Sequence, residues 1–142
     1  QAARLFPQDQ NIQGLYRTIA IGSVAANQAA TFSNEGLVFF NQTDYKNAAL
    51  NFEKAFELNP LEFSYFENAA TANYLIGNLQ KALEQINLVI NEMNPLNGKC
   101  EYIKALIFIK MQDPIGACPL LKTALDSGHA PANETYAQYC SK

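Results

Sequence analysis

A chain of 142 residues with 49% hydrophobic and only 16% charged residues suits one compact domain or a short repeat array, and its core needs no structural metal. A net charge of −3 without a run of Lys or Arg argues against a phosphate-backbone partner, so nucleic acid is not expected. The longest uncharged stretch, Thr18 to Asn34, is broken by Ser23, Asn27, Gln28 and Thr31, whereas a bilayer span needs about 20 mostly apolar residues; no membrane insertion by this segment is expected.

The chain opens with QAARLFPQD, an apolar stretch ending in Pro7 that reads as the tail of a helix whose start is missing. Beginning at Gln1 rather than Met is read as the mark of a processed product, with any signal or membrane segment upstream. Asn11 to Gln28 carries Ile12, Leu15, Tyr16, Ile19, Val24 and Ala25 at helical spacing. It is expected to form an extra helix, separate from the next or running into it, so that residues 1–28 stand before the repeats.

From Ala29 the landmarks become periodic. Ala48, Ala82 and Ala117 stand 34 and 35 residues apart, as do Phe52, Ile86 and Leu121. A period in that range marks stacked helix–turn–helix units. The first unit, 29–62, has Phe32, Gly36, Phe39, Ala48, Phe52, Ala55 and Pro60 as its landmarks. Small Gly36 and Ala48 allow two antiparallel helices to approach closely, with aromatic side chains filling the space beside them. The second unit, 63–97, has Phe66, Ala70, Ala82, Ile86 and Val89 in place and turns at Gly77-Asn78. Asn73 stands where an aromatic is expected, which puts the packing there in question, and Pro95 comes one residue late. The third unit, 98–130, keeps Ala105, Phe108, Ala117, Leu121 and Ala124, but has Glu101 at a large apolar position.

Asp44, Asn78 and Asp113 are predicted to cap the second helix of each unit, with Pro114 in the favoured first-turn place. Pro119 falls inside the last of these helices and is predicted to kink it or delay its start. Gly128 then ends it, and Pro131 begins a polar capping helix over 131–142.

These landmarks resemble the tetratricopeptide repeat (TPR), whose pattern is W-x2-L-G-x2-Y, A-x3-F and Pro. In the first unit only Glu35, in the Leu place, is unlike it. The resemblance implies an all-α, TPR-type superhelix of three helix pairs, with an extra N-terminal helix and a C-terminal cap. It also implies that the first helix of each pair lines a concave groove. By position that groove takes Ser33, Leu37, Phe40 and Asn41, then Glu67, Asn68, Thr71, Tyr74 and Leu75, then Lys99, Tyr102, Leu106, Ile109 and Lys110. Leu37, Phe40, Asn41, Asn68, Thr71, Tyr74, Tyr102, Leu106 and Ile109 are the candidate partner-binding residues, for a protein or peptide or for self-association. The alternative for this wall is coverage by the Asn11–Gln28 helix. A chaperone-type carboxylate clamp is not expected: only Asn68 and Lys99 match it, and Ser33, Leu37 and Ile103 occupy its other places.

Enzymatic constellations are absent. His129 stands alone in a turn, no glycine-rich phosphate loop or H-E-x-x-H occurs, and the carboxylates are assigned to outer faces. Cys100, Cys118 and Cys140 lack zinc-site spacing, so neither metal nor cofactor is expected. Asn41-Gln42-Thr43 and Asn133-Glu134-Thr135 match a glycosylation acceptor pattern and are assigned no function.

Antiparallel packing of the cap would bring Cys140 towards the start of the helix bearing Cys118. Gly116-Ala117-Cys118 with a terminal Tyr139-Cys140 resembles a subset of bacterial envelope TPR proteins. That likeness implies a Cys118–Cys140 disulfide, worth about 3 kcal/mol in loop-entropy terms, against the alternative of two buried thiols. It implies a periplasmic or other extracytoplasmic setting, and a cytoplasmic one if the two are reduced. Cys100 is left as a small core residue. Two functions follow: a non-catalytic interaction scaffold, or the C-terminal region of a larger envelope glycan-assembly protein whose catalysis lies elsewhere.

Overall fold

The computed structural model describes residues 22–141, and among them every regular element is helical. In order these are α1 (Ser23–Asn41), α2 (Tyr45–Leu58), α3 (Phe63–Leu75), α4 (Leu79–Leu88), α5 (Lys99–Lys110), α6 (Pro114–Asp126) and α7 (Ala132–Tyr139). Successive helices pack on one another, α1 with α2, α3 with α4 and α5 with α6, and α7 closes the stack against α6. The expected helix tail at Gln1–Pro7 and helix start at Asn11 lie outside the described residues. No break separates Gln28 from Ala29: Ser23–Asn41 is one helix. Its Gln28-Ala29-Ala30 segment contains only good helix formers, and nothing there can stop it.

The small landmarks lie inside the molecule. Ala48, Ala82, Ala117, Phe52, Ile86 and Leu121 are all fully buried. They belong to three consecutive core clusters, the first reaching into α3 and the second into α5, and Phe66 packs against both the first and the second. Among the described residues no helix is long and apolar enough to cross a membrane.

The turn inside each pair repeats atom for atom. The amides of Asp44, Asn78 and Asp113 donate to the carbonyls of Phe39, Asn73 and Phe108 at 2.9, 2.9 and 2.8 Å. Each bond requires a left-handed residue just before it, and Thr43, Gly77 and Gln112 have φ of 61°, 87° and 66°. Only the second turn uses glycine, for which that conformation carries no Cβ penalty.

Two of the predicted caps form: Asp44 accepts from the Asn47 amide and Asp113 from the Gly116 amide. Asn78 makes no side-chain cap bond. Pro119 does not delay α6, which starts at Pro114 and runs through it. The carbonyl deprived of its amide partner is that of Ile115, four residues back in the exposed first turn, where water can reach it. The 35-residue step has a physical home as well. α4 ends in a π-turn over Val89–Met93, closed by the Asn94 amide on the Val89 carbonyl at 3.1 Å, and a π-turn takes up one extra residue.

Asn73 resolves its misfit by hydrogen bonding. It is buried on α3 and donates to Gln85 Oε1 at 2.8 Å and to Glu53 Oε2 at 3.2 Å. Gln85 Nε2 donates to the same carboxylate oxygen at 2.6 Å, and Lys81 pairs with it at 3.1 Å. Glu53 therefore serves an inter-helix network rather than an outer face.

Candidate functional site: the wall of α1, α3 and α5

The first helices of the three pairs carry their predicted wall residues to different depths. Leu37 and Asn41 on α1 are exposed, while Phe40, Asn68, Thr71, Tyr74, Tyr102, Leu106 and Ile109 are half-buried. Phe40 is partly spent on the core, lying edge-on to Tyr45 at 4.9 Å and packing on the first cluster. The Thr71 hydroxyl donates to the Glu67 carbonyl at 2.9 Å, within its own helix. Tyr102 and Ile109 pack against the third cluster, and the Tyr102 ring also meets His129 at 4.9 Å. His129 is thus a half-buried packing partner rather than a free turn residue.

Two charged features define the wall. At one end Lys99 Nζ lies 3.2 Å from Glu67 Oε1, and the Cys100 thiol donates to Glu67 Oε2 at 2.9 Å. The Glu67 side chain is only 4% exposed, against 47% for Lys99, so the carboxylate is a desolvated acceptor facing inward and not a surface acid. Burial pushes the Cys100 thiol far above the usual range, and the Glu67 hydrogen bond and charge push it further. Cys100 is an inert core thiol that helps hold Glu67.

At the other end Lys110 Nζ stands 4.6 Å from the Tyr74 ring centre and 3.5 Å from the Tyr74 carbonyl. Among the described residues the ion pairs are Lys81–Glu53 and Lys99–Glu67, so Lys110 has no carboxylate there. Burial raises the Tyr74 pKa, and the nearby phenols of Tyr102 and Tyr139 raise it further. Tyr139 belongs to α7, whose Tyr136 packs on the same core cluster as Tyr102 and Ile109, so the capping helix borders the wall. Sequence reasoning missed it because the cap was read only as a polar lid.

The sulfurs of Cys118 and Cys140 lie 2.10 Å apart, at disulfide-bonding distance, with their Cα atoms 5.7 Å apart. No group of three or more potential metal-binding side chains occurs among the described residues.

No family model and no curated protein matches the chain. Solved structures do. The TPR domain of Sgt2 from Aspergillus fumigatus matches with a TM-score of 0.68 at 20% identity, over 78% of this chain and 77% of that one. The Arabidopsis OM64 TPR domain gives 0.69 at 15% identity, over 80% and 98% of the two chains. The first TPR of Spaghetti (RPAP3), solved bound to the HSP90 peptide SRMEEVD, gives 0.68 at 16% identity, over 79% and 95%. The fold is that of a TPR-type superhelix. Identities this low establish the fold, and the chemistry of the wall must be read from this chain's own residues.

That wall differs from a cationic cradle. Lys99, the one matching lysine, is neutralised by Glu67, and Ser33 is buried. Besides Glu67, Lys99 and Lys110, the predicted wall residues among those described are aliphatic, aromatic, amide and hydroxyl side chains.

Proposed function

We propose that this chain is a non-catalytic scaffold that holds a segment of a protein partner along the wall of α1, α3 and α5. The observation that carries this reading is that, among the described residues, Tyr74 and Tyr102 keep half-buried rings on neighbouring first helices, with Lys110 standing over the Tyr74 ring. Tyrosine pairs apolar area with a polar tip at low entropic cost, which suits the capture of a short segment. Peptide binding by the similar Spaghetti TPR, and the solved complex of yeast Sti1 TPR2AB with pHSP90, support a peptide-like ligand. With Lys99 neutralised, the preferred segment is apolar or aromatic with neutral hydrogen-bonding groups, and Lys110, which has no carboxylate partner among the described residues, can take one acidic or carbonyl group of it. The Cys118–Cys140 pair supports an oxidising, extracytoplasmic setting.

The test uses peptides selected from a displayed random library on the wild-type chain. Tyr74→Ala combined with Tyr102→Ala weakens the selected peptides at least tenfold while the helical circular dichroism signal is retained. Unchanged affinity in a folded double variant refutes the reading. Selection of the chain's own sequence would identify self-association as the natural use of the wall.

A further inference from the structure

α7 is eight residues long, too short to hold itself helical in water without docking. Two sets of contacts dock it. Ala132 is fully buried, and Tyr136 packs beside Tyr102 and Ile109 on the third core cluster. Just past its end, Cys140 meets Cys118 near the start of α6, 22 residues earlier in the chain. Between these two anchors sits Tyr139, still 39% exposed. Cys118 and Cys140 are themselves only half-buried, whereas Cys100 is fully enclosed.

We propose that the Cys118–Cys140 link is a thiol-operated latch on α7. Closed, it holds α7, and Tyr139 with it, on the core cluster that also seats Tyr102 and Ile109 of the wall; opened by a dithiol, it lets α7 leave and takes that tyrosine away. The exchange balances as a two-electron step. A thiolate of the dithiol attacks one sulfur, the Cys118–Cys140 bond breaks, and a mixed disulfide forms. The second thiolate of the reductant displaces the protein sulfur, and the reductant leaves as a cyclic disulfide. Two protons end on the Cys118 and Cys140 thiols. The latch stands on the cap alone, and only its effect on a partner rests on the proposed function.

The experiment is amide hydrogen exchange on the full chain, first as purified without reductant and then in dithiothreitol. Titration of the unreduced, denatured chain with an aromatic disulfide reagent gives one free thiol, Cys100; a count of three overturns the proposal at once. Reduction accelerates exchange of the α7 amides and of the Cys140 amide at least tenfold, while α1 to α4 stay within twofold. Unchanged α7 exchange refutes the latch, as does an acceleration spread evenly over all helices. Cys118→Ser with Cys140→Ser should reproduce the reduced pattern, and if that variant does not fold the reduced wild type decides. Library-selected peptides should bind the reduced chain at least threefold more weakly. Equal binding with a released α7 refutes the role of Tyr139 in the wall and leaves the latch in place.

Discussion

Between α1 and α2, Gly36 lies so close to Phe52 that an added Cβ would come within 2.7 Å of the ring. Between α3 and α4 the same two places hold Ala70 and Ile86, and between α5 and α6 they hold Ala105 and Leu121. The residue facing Phe52 shrinks to glycine, while the slimmer Ile86 and Leu121 leave space for a methyl group. The comparison extends one helical turn on. Phe39 and Phe108 fill the position that Asn73 occupies in the middle pair, and there an amide network replaces a ring. The repeat conserves volume and hydrogen-bond satisfaction, not residue type.

The largest break in that comparison comes from Phe52→Ala. The ring is fully buried and shared with Ala48, Ala49, Ala69 and Ala72, none of which can extend to refill the space. The expected loss is about 3–5 kcal/mol, read as a lowered urea midpoint. Gly36→Ala probes the same contact from the other side. A Cβ forced against an enclosed ring costs about 1–3 kcal/mol, even though alanine is the better helix former. Adding Phe52→Ile copies the second pair's solution into the first and recovers part of that loss. No recovery would mean that the two positions do not exchange volume directly.

The middle pair gives an effect of about 1–3 kcal/mol by a different route. Asn73→Ala leaves Gln85 Oε1 without its donor and removes one of three groups that donate to Glu53. Gln85→Ala has a similar cost, and the double variant costs less than the two added, because each single change already disrupts the same network. Strict additivity in the thermal or urea midpoints would show that the network is not cooperative.

The scaffold was legible because close helix contact demands small residues at a fixed period, and Ala48, Ala82 and Ala117 satisfy that demand in plain sight. The network around Asn73 was not, since its partners lie 12 and 20 residues away on two other helices, and a lone asparagine in a core reads as a fault. Glu67 was placed on the wall by its repeat position, but its burial was hidden: only its contacts with Lys99 and Cys100, more than 30 residues on, reveal an inward-facing carboxylate. Phe40 and Thr71 were assigned to the wall by repeat position, yet their side chains are partly committed to internal contacts that helical spacing does not encode. Tyr139 was missed because its relation to Tyr74 depends on where the last helix docks.

The smallest expected effect concerns that last relation and carries a defined sign. Tyr74 titrates above the ordinary tyrosine value of about 10, first because it is buried and then because of the phenols of Tyr102 and Tyr139. A raised pKa means that the native state holds this proton longer than the unfolded chain does. The associated stability is therefore fully present below the unfolded tyrosine pKa, and it is lost as pH climbs through the raised value. Tyr139→Phe keeps the ring but removes an ionising neighbour, so the alkaline midpoint of Tyr74, followed by ring-carbon NMR, moves down towards the ordinary value. Tyr102→Phe moves it further, since that phenol acts more strongly, and neither change abolishes the part due to burial. A midpoint untouched by Tyr139→Phe would place the Tyr139 hydroxyl away from the wall and leave α7 as a lid with no part in the surface it borders.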